Sequence, residues 1–238
     1  MLLLAGYVLL VVVRAPHLIW PGRLWAEEGT VFFRNAFSHN WFCPFPTLRI
    51  GYLDLSANIA CYLASTVVAL ESAPVVTGLF SLLIQTVPVL LLLFSKISVL
   101  ESMRMRGLAL LCILFVQPSQ DLWLNSIHSQ FFLCLACCII LISAPRNREW
   151  HVARIAVLVL AGLSGVLSCL LVPAFAVDYF HCRRSSRLHE AIALSIPAVI
   201  QAGFVLSGPM RNAEMLFAPI PMALLVKQWV LPLSGVSL

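Results

Sequence analysis

The sequence predicts an all-α fold: a polytopic transmembrane bundle of about seven to eight helical segments, a spanning helix taking about 20 residues. Three observations predict it. Of 238 residues, 61% are hydrophobic and only 11% are charged, with a mean hydropathy of +0.97; soluble domains carry roughly 25% charged residues. Apolar runs recur along the whole chain, at residues 2–20, 50–70, 74–94, 107–117, 129–144, 153–181, 189–207 and 216–233. The basic residues cluster in short connections between those runs, as topology determinants do. The formal charge of +5 comes with no basic tail and no basic helix. Nucleic acid is therefore excluded as a partner, and membrane lipid is expected.

The first run, Met1–Val13, has no basic n-region. It is followed by Arg14-Ala-Pro-His17 rather than a small-residue cleavage site, so it reads as an uncleaved membrane helix with an interfacial His17. Then comes Trp25-Ala26-Glu27-Glu28-Gly29. At the centre of a membrane helix each acid would cost about 2.5–3.5 kcal/mol. The pair must lie in water at the membrane edge or work in a polar pocket. On an α-helical wheel from Glu27 to Phe37, one arc holds Phe32, Phe33, Ala36 and Phe37. The other holds Glu27, Glu28, Thr30, Arg34 and Asn35; Val31 is the exception. Glu27 is near the middle of the polar arc, with Arg34 nearly above it, and Glu28 is nearer the edge. This is the pattern of an in-plane interfacial helix. Trp41, Pro44 and Pro46 mark an irregular connection with an interfacial aromatic.

Charge placement sets the topology. Lys96, Arg104 and Arg106 lie in one connection, Arg146, Arg148 and Arg154 in the next, and Arg183, Arg184 and Arg187 in a third. Together they hold nine of the fifteen Lys and Arg residues. All three connections are expected in the cytoplasm. Run 153–181 is too long for one span and is interrupted by Gly162-Leu163-Ser164-Gly165, which predicts two short helices meeting at one membrane face. Pro118–His128 and Gly162–Gly165 are then external. If 2–20, 50–70 and 74–94 all crossed, the Glu27-Glu28 loop and the Pro118–His128 loop would face opposite sides. Run 50–70, with Asp54, Asn58 and Ser65 within about 40° of one another on a wheel, is the segment expected to lie on the outer surface or re-enter. Residues 21–73 then form one long external loop. A spanning 50–70 facing a polar cavity is the alternative.

The remaining features are structural in expectation. Asp178 and Glu190 pair with the third basic cluster, and His151, His181 and His189 are solvated beside basic loops. Of the eight cysteines, Cys134-x-x-Cys137-Cys138 falls in the apolar stretch Phe131–Ile142 without a second pair at zinc spacing, so these are soft packing residues. No disulfide framework is evident. Leu216–Leu238, with Lys227 and three prolines, ends without a basic loop or soluble domain, so the chain reads as a fragment or truncated module.

Three groups could carry chemistry. A carboxylate of Glu27 or Glu28 at the outer face can serve as a general base, with Arg34 holding a phosphate by paired hydrogen bonds. The plainer reading is a solvated helix N-terminus, where the dipole favours acids. Asp121, Asn125 and His128 recur at roughly helical spacing and could bind a sugar hydroxyl, a phosphate or a divalent metal; helix capping is the plainer reading. Arg23, Arg34, Arg49 and Arg211 lie on the outer side against the positive-inside trend, where they meet lipid headgroups or an anionic substrate. The candidate catalytic residues are therefore Glu27, Glu28 and Asp121. The candidate substrate-binding residues are Arg23, Arg34, Arg49, Asp54, Asn125 and His128. There is no phosphate-cradling glycine loop, nucleophile elbow or HExxH, which leaves soluble ATP-driven chemistry without support.

The stretch Leu24-Trp-Ala-Glu-Glu-Gly-Thr-Val-Phe-Phe-Arg-Asn-Ala resembles the acid-acid-Gly opening of the first external loop in GT-C fold glycosyltransferases. It is similar above all to poorly characterised bacterial membrane proteins with a Trp-Ala-Glu-Asp-Gly pattern there. Gly51-Tyr52-Leu53, Leu124-Asn-Ser-Ile-His-Ser-Gln-Phe-Phe and Ala161-Gly-Leu-Ser-Gly continue the resemblance in order over most of the chain. Each motif is short; their order carries the likeness. The resemblance implies a bacterial cytoplasmic-membrane enzyme taking a sugar from a polyprenyl-phosphate donor with inversion, Glu27 as base, Glu28 beside it, and Asp121 as the second-loop acid. Two positions depart from the pattern: Glu28 replaces an Asp, and His128-Ser129 replaces an aromatic. The competing readings are a transporter or flippase of a lipid-linked substrate, and a non-catalytic membrane subunit. The halves show no inverted repeat, which counts against the transporter.

Overall fold

The computed structural model describes residues 2–14, 22–25, 27–38, 47–49, 51–97, 100–115 and 123–207. His17, Trp41, Pro44, Pro46, Asp121, Arg211 and the run Leu216–Leu238 lie outside the described residues, as does the Arg49 side chain. The chain is mostly helical: α1 (Leu2–Arg14), a π-helical turn (Glu28–Phe33) continuing into α2 (Arg34–Ser38), α3 (Leu55–Val67), α4 (Ala73–Phe94), α5 (Met103–Phe115), α6 (Ser129–Ile142), α7 (Arg148–Leu163), α8 (Val166–Cys169), α9 (Val172–Cys182) and α10 (Ser185–Ser207). One two-residue hairpin, β1 (Leu48–Arg49) against β2 (Tyr52–Leu53), turns through Gly51 at φ +89°.

The all-α class is present, and the expectation of seven to eight membrane segments is met only in part. Among the described residues two helical stretches are long and apolar enough to cross a membrane, Leu70–Phe94 and Ser185–Ser207. The pair Arg148–Leu163 and Val166–Cys182, bent by 116°, makes a third if it is one span. The apolar runs overstate helix length because polar caps and breaks cut them. Run 50–70 yields only the 13 residues of α3, about 20 Å of helix, which is short of a hydrocarbon core of about 30 Å.

α10 shows why the exterior is apolar. Its buried positions, Glu190, Leu194, Pro197 and Gln201, recur at helical spacing and include an acid and an amide. Its exposed positions include Ile192, Ile196, Val199 and Ile200. A helix in water has the opposite arrangement. Leu79 and Leu83 on α4 add to the same outward apolar surface.

The bundle has two polar ends. At one, Ser56 N–H donates to Ser164 Oγ at 3.1 Å and Gln130 Nε2 reaches Tyr52 Oη at 3.4 Å. The start of α4 lies here too, because Ala73 packs in one buried cluster with Phe32, Phe33, Ala57 and Ile127. Both ends of α3 therefore sit at one end of the bundle, and α3 does not carry the chain across. Run 50–70 thus returns to the end of the bundle at which it starts. Asp54 differs from the wheel: it precedes the helix as its N-cap, its carboxylate accepting from Ala57 N–H at 3.2 Å.

The other end gathers the basic connections. Lys96 C=O accepts from Ala144 N–H at 3.2 Å. Arg106 donates to the carbonyls of Leu93, Ser95 and Leu100. Arg154, expected in a polar connection, is instead fully buried inside α7. Its Nε donates to Glu190 at 2.8 Å, and its other nitrogens to Ser143 Oγ and the Ile140 and Ser143 carbonyls. Arg187 bonds the same two carbonyls, with Glu190 at 2.9 Å and Asp178 at 3.0 Å, so the expected pairing of both acids is present. Two guanidinium groups thus supply donors to the carbonyls at the C-terminal end of α6, Ile140 and the cap residue Ser143. His181 and His189 are exposed as expected; His151 is half-buried, with Nδ1 3.6 Å from Glu190.

The break in the long run occurs where expected. Gly165 has φ +147° and ψ 162°, a region open only to glycine, and a Cβ there would collide with the Gln130 side chain. At Gly162 a Cβ would fall 2.6 Å from Pro197 Cβ of α10, so glycine permits the close α7–α10 approach. Gly165→Ala is expected to destabilise the fold by about 1–3 kcal/mol from backbone strain alone, more with the Gln130 clash, measured by thermal unfolding in detergent; an unchanged midpoint would contradict the assigned geometry. Arg154→Leu or Glu190→Leu alone should each cost about 3–5 kcal/mol by stranding a buried charge, and the double variant less than their sum. A double-mutant cycle by chemical denaturation in micelles checks this, strict additivity being the contrary result.

Candidate functional site

The candidate site grows from the π-helical turn. Arg34 N–H bonds Gly29 C=O, five residues back, and Gly29 N–H bonds Trp25 C=O at 2.8 Å. A turn closed over five residues is wider than an α-turn, and such turns are often found at functional sites. Each residue advances by less than the α-helical angle, so the α-helical wheel misplaces the acids. Glu28, expected near the edge of the polar arc, is 1% exposed, whereas Glu27 is half-buried at the start of the turn. Phe32, Phe33 and Ala36 are buried as the wheel requires; Phe37 is exposed and stacks on Phe33 at 5.9 Å.

The Glu28 carboxylate accepts hydrogen bonds from Trp25 and from Ser126. Oε2 accepts from Trp25 N–H at 3.2 Å, and Oε1 accepts from Ser126 N–H at 3.3 Å and from the Ser126 hydroxyl. The Ser126 contacts join the first loop to the 123–128 loop, so both polar loops share one end of the bundle, as the parity reading requires. Burial pushes the Glu28 pKa up; the Ser126, Trp25 and Thr77 hydrogen bonds pull the other way without cancelling it.

Around this junction the polar side chains interlock. Asp54 Oδ1 accepts the Ser56 hydroxyl at 2.8 Å, and Ser56 Oγ is 3.3 Å from Ser126 C=O. Asn58 donates to the Thr47 and Asp54 carbonyls at 3.1 and 2.8 Å and accepts from Thr47 N–H at 3.3 Å. The Gln201 amide pairs with both backbone groups of Leu53, at 3.0 and 2.7 Å, as a neighbouring strand would. Asn125 Oδ1 accepts from Ile127 N–H at 3.0 Å, an Asx turn, and its Nδ2 lies 3.3 Å from His128 Nδ1. Buried Leu124, at φ +53°, carries the strain of this tight loop.

The predicted site residues divide accordingly. Glu28, Asp54 and Asn125 are buried in one connected polar junction, with half-buried His128 beside it. Arg23 and Arg34 are exposed, Arg23 with its guanidinium 4.4 Å from the Trp25 ring centre. Among the described residues no group of three or more His, Cys, Asp or Glu is arranged to hold a metal. Cys137 is fully buried in α6 with Cys134 and Cys138 partly buried beside it. Ser56, Ser126, Ser164, Gln130 and Gln201 were absent from the sequence-derived set. Their signal is an uncharged polar side chain in or beside an apolar run, the type that joins helices in a membrane. No family model matches the chain, and no similar curated protein or solved structure was found.

The raised Glu28 pKa fixes the sign of a pH effect. Below the ordinary glutamate value of 4.5 the carboxyl is protonated folded or unfolded. As pH rises from there toward the higher folded value, the unfolded chain loses its proton first, so stability falls. Glu28→Gln should flatten this decline above pH 4.5, measured by denaturant unfolding in micelles at several pH values; an unaltered slope would assign the decline to another group.

Proposed function

We propose that this chain is a module of an integral membrane glycosyltransferase of the GT-C kind, with seven to eight segments in the complete bundle, in a bacterial cytoplasmic membrane. It transfers a sugar from a polyprenyl-phosphate donor to an acceptor at the outer face. One observation carries the reading: the Glu28–Ser126 hydrogen bonds bring the first-loop acids and the 123–128 loop to the same end of the bundle, where a base and substrate-binding residues would have to converge.

The two acids take different parts. Glu27 is partly exposed and within reach of an incoming hydroxyl. It takes the acceptor proton as the oxygen attacks the anomeric carbon, the bond to the phosphate oxygen breaks, and the configuration inverts. Glu28 is a positioning residue: its carboxylate is engaged with Ser126 and Trp25 and holds the π-turn against the second loop. Exposed Arg23 and Arg34 flank Glu27 along the chain and suit the charge of the departing phosphate. Asp121 and Arg49 are further candidates on the same loops. A non-catalytic membrane subunit is the second reading, favoured by the same engagement of Glu28, which would suffice for a purely structural joint.

Glu27→Gln is expected to lower transfer from polyprenyl-phosphate sugars by about 10²-fold or more while the protein still inserts and folds. Glu28→Gln should act mainly through stability. Membranes carrying each variant, assayed with radiolabelled lipid-linked donors, make the test. Normal transfer by folded Glu27→Gln would sink the catalytic assignment, and absence of transfer by the unaltered protein on every donor would favour the subunit reading.

A further inference from the structure

At the basic end, far from Glu28, a cavity of about 520 Å³ opens between the α4–α5 and α6–α7 connections. Lys96, Arg106, Arg187 and Glu101 supply its charge, and Ile97 and Ile142 its apolar wall. The walls are fixed before any ligand arrives. The Lys96–Ala144 backbone bond ties the two connections together, and Trp150 Nε1 donates to Ser95 Oγ at 3.3 Å. Arg106 is held by the carbonyls of Leu93, Ser95 and Leu100.

The charges at this end do not balance. Arg154 and Arg187 are matched by Glu190 and Asp178. Arg106 is half-buried and its three hydrogen-bond partners are all neutral carbonyls. Lys96 is exposed, and its charge and that of Arg106 face the single carboxylate of Glu101. Arg106 spends three of its five N–H groups on these carbonyls, which leaves donors for a further acceptor. Its apolar wall reaches the surface at Ile142, which is exposed. A cationic cavity with an exposed apolar wall residue, at the end of a bundle with an apolar exterior, suits a phosphate ester.

We propose that this cavity binds a phosphate group, that of an anionic lipid headgroup or of a soluble phosphate ester, with Lys96 and Arg106 as its cationic contacts and Glu101 as the group that weakens binding. The site is independent of the glycosyltransferase reading, whose residues lie at the opposite end.

Full-length protein in zwitterionic nanodiscs is titrated with phosphatidylglycerol, with glycerol 3-phosphate and with inorganic phosphate, binding being followed by native mass spectrometry. Saturable binding of phosphatidylglycerol alone assigns a lipid; binding of glycerol 3-phosphate or phosphate at comparable concentration assigns a soluble ester. In either case Lys96→Ala should weaken binding about fivefold and Glu101→Gln strengthen it about fivefold. Both side chains are exposed, so folding should survive, and the gain in Glu101→Gln cannot arise from misfolding. No saturable binding of any probe, or equal affinities in all three proteins, would overturn the proposal.

Discussion

A bundle with an apolar exterior has nowhere to hide an unsatisfied polar group, and this constraint shapes both of its ends. At the basic end the last carbonyls of α6 meet the guanidinium groups of Arg154 and Arg187, which are neutralised by Glu190 and Asp178. At the other end the irregular backbone around Leu53, Ser56 and Ser126 is closed by Gln201, Ser164 and Glu28. Each irregular segment has a side-chain partner from a distant helix. Helix position, loop conformation and the burial of ionisable residues follow from that pairing.

The short helices belong to the same logic. α6 has 14 residues, about 21 Å of helix, yet it runs from the Gln130–Tyr52 contact to the Arg154 cluster. Its reach is less than a full hydrocarbon core of about 30 Å. In the polar junction at its start, Glu28 is buried by protein, with partners from Trp25 and Ser126. The junction ties two loops together and sets two adjacent acids in different surroundings. Glu27 keeps access to solvent, and Glu28 gives up access for rigidity.

Much of the fold is legible in the chain. The break at Gly162–Gly165, the shared end of the two polar loops and the pairing of Asp178 and Glu190 with arginine follow from apolar run lengths and charge placement. The part that was not legible is instructive. The wheel assumed 100° per residue, and the π-turn defeated it, moving Glu28 from an edge position to the interior. Arg154 looked like a loop cation because charge alone does not reveal a partner 36 residues away. Asp54 looked like part of a helix face because its role as a cap depends on where the helix begins.

By itself the sequence determined the apolar character of the helices, the positions of the breaks and the segregation of basic residues, because hydropathy, glycine and charge act locally. Only the tertiary structure decided which acid is buried, which arginine is paired and which serines and glutamines close the loops. Those outcomes depend on contacts such as Glu28–Ser126 and Leu53–Gln201, separated by 98 and 148 residues. No local pattern encodes a hydrogen bond whose partner arrives from another helix.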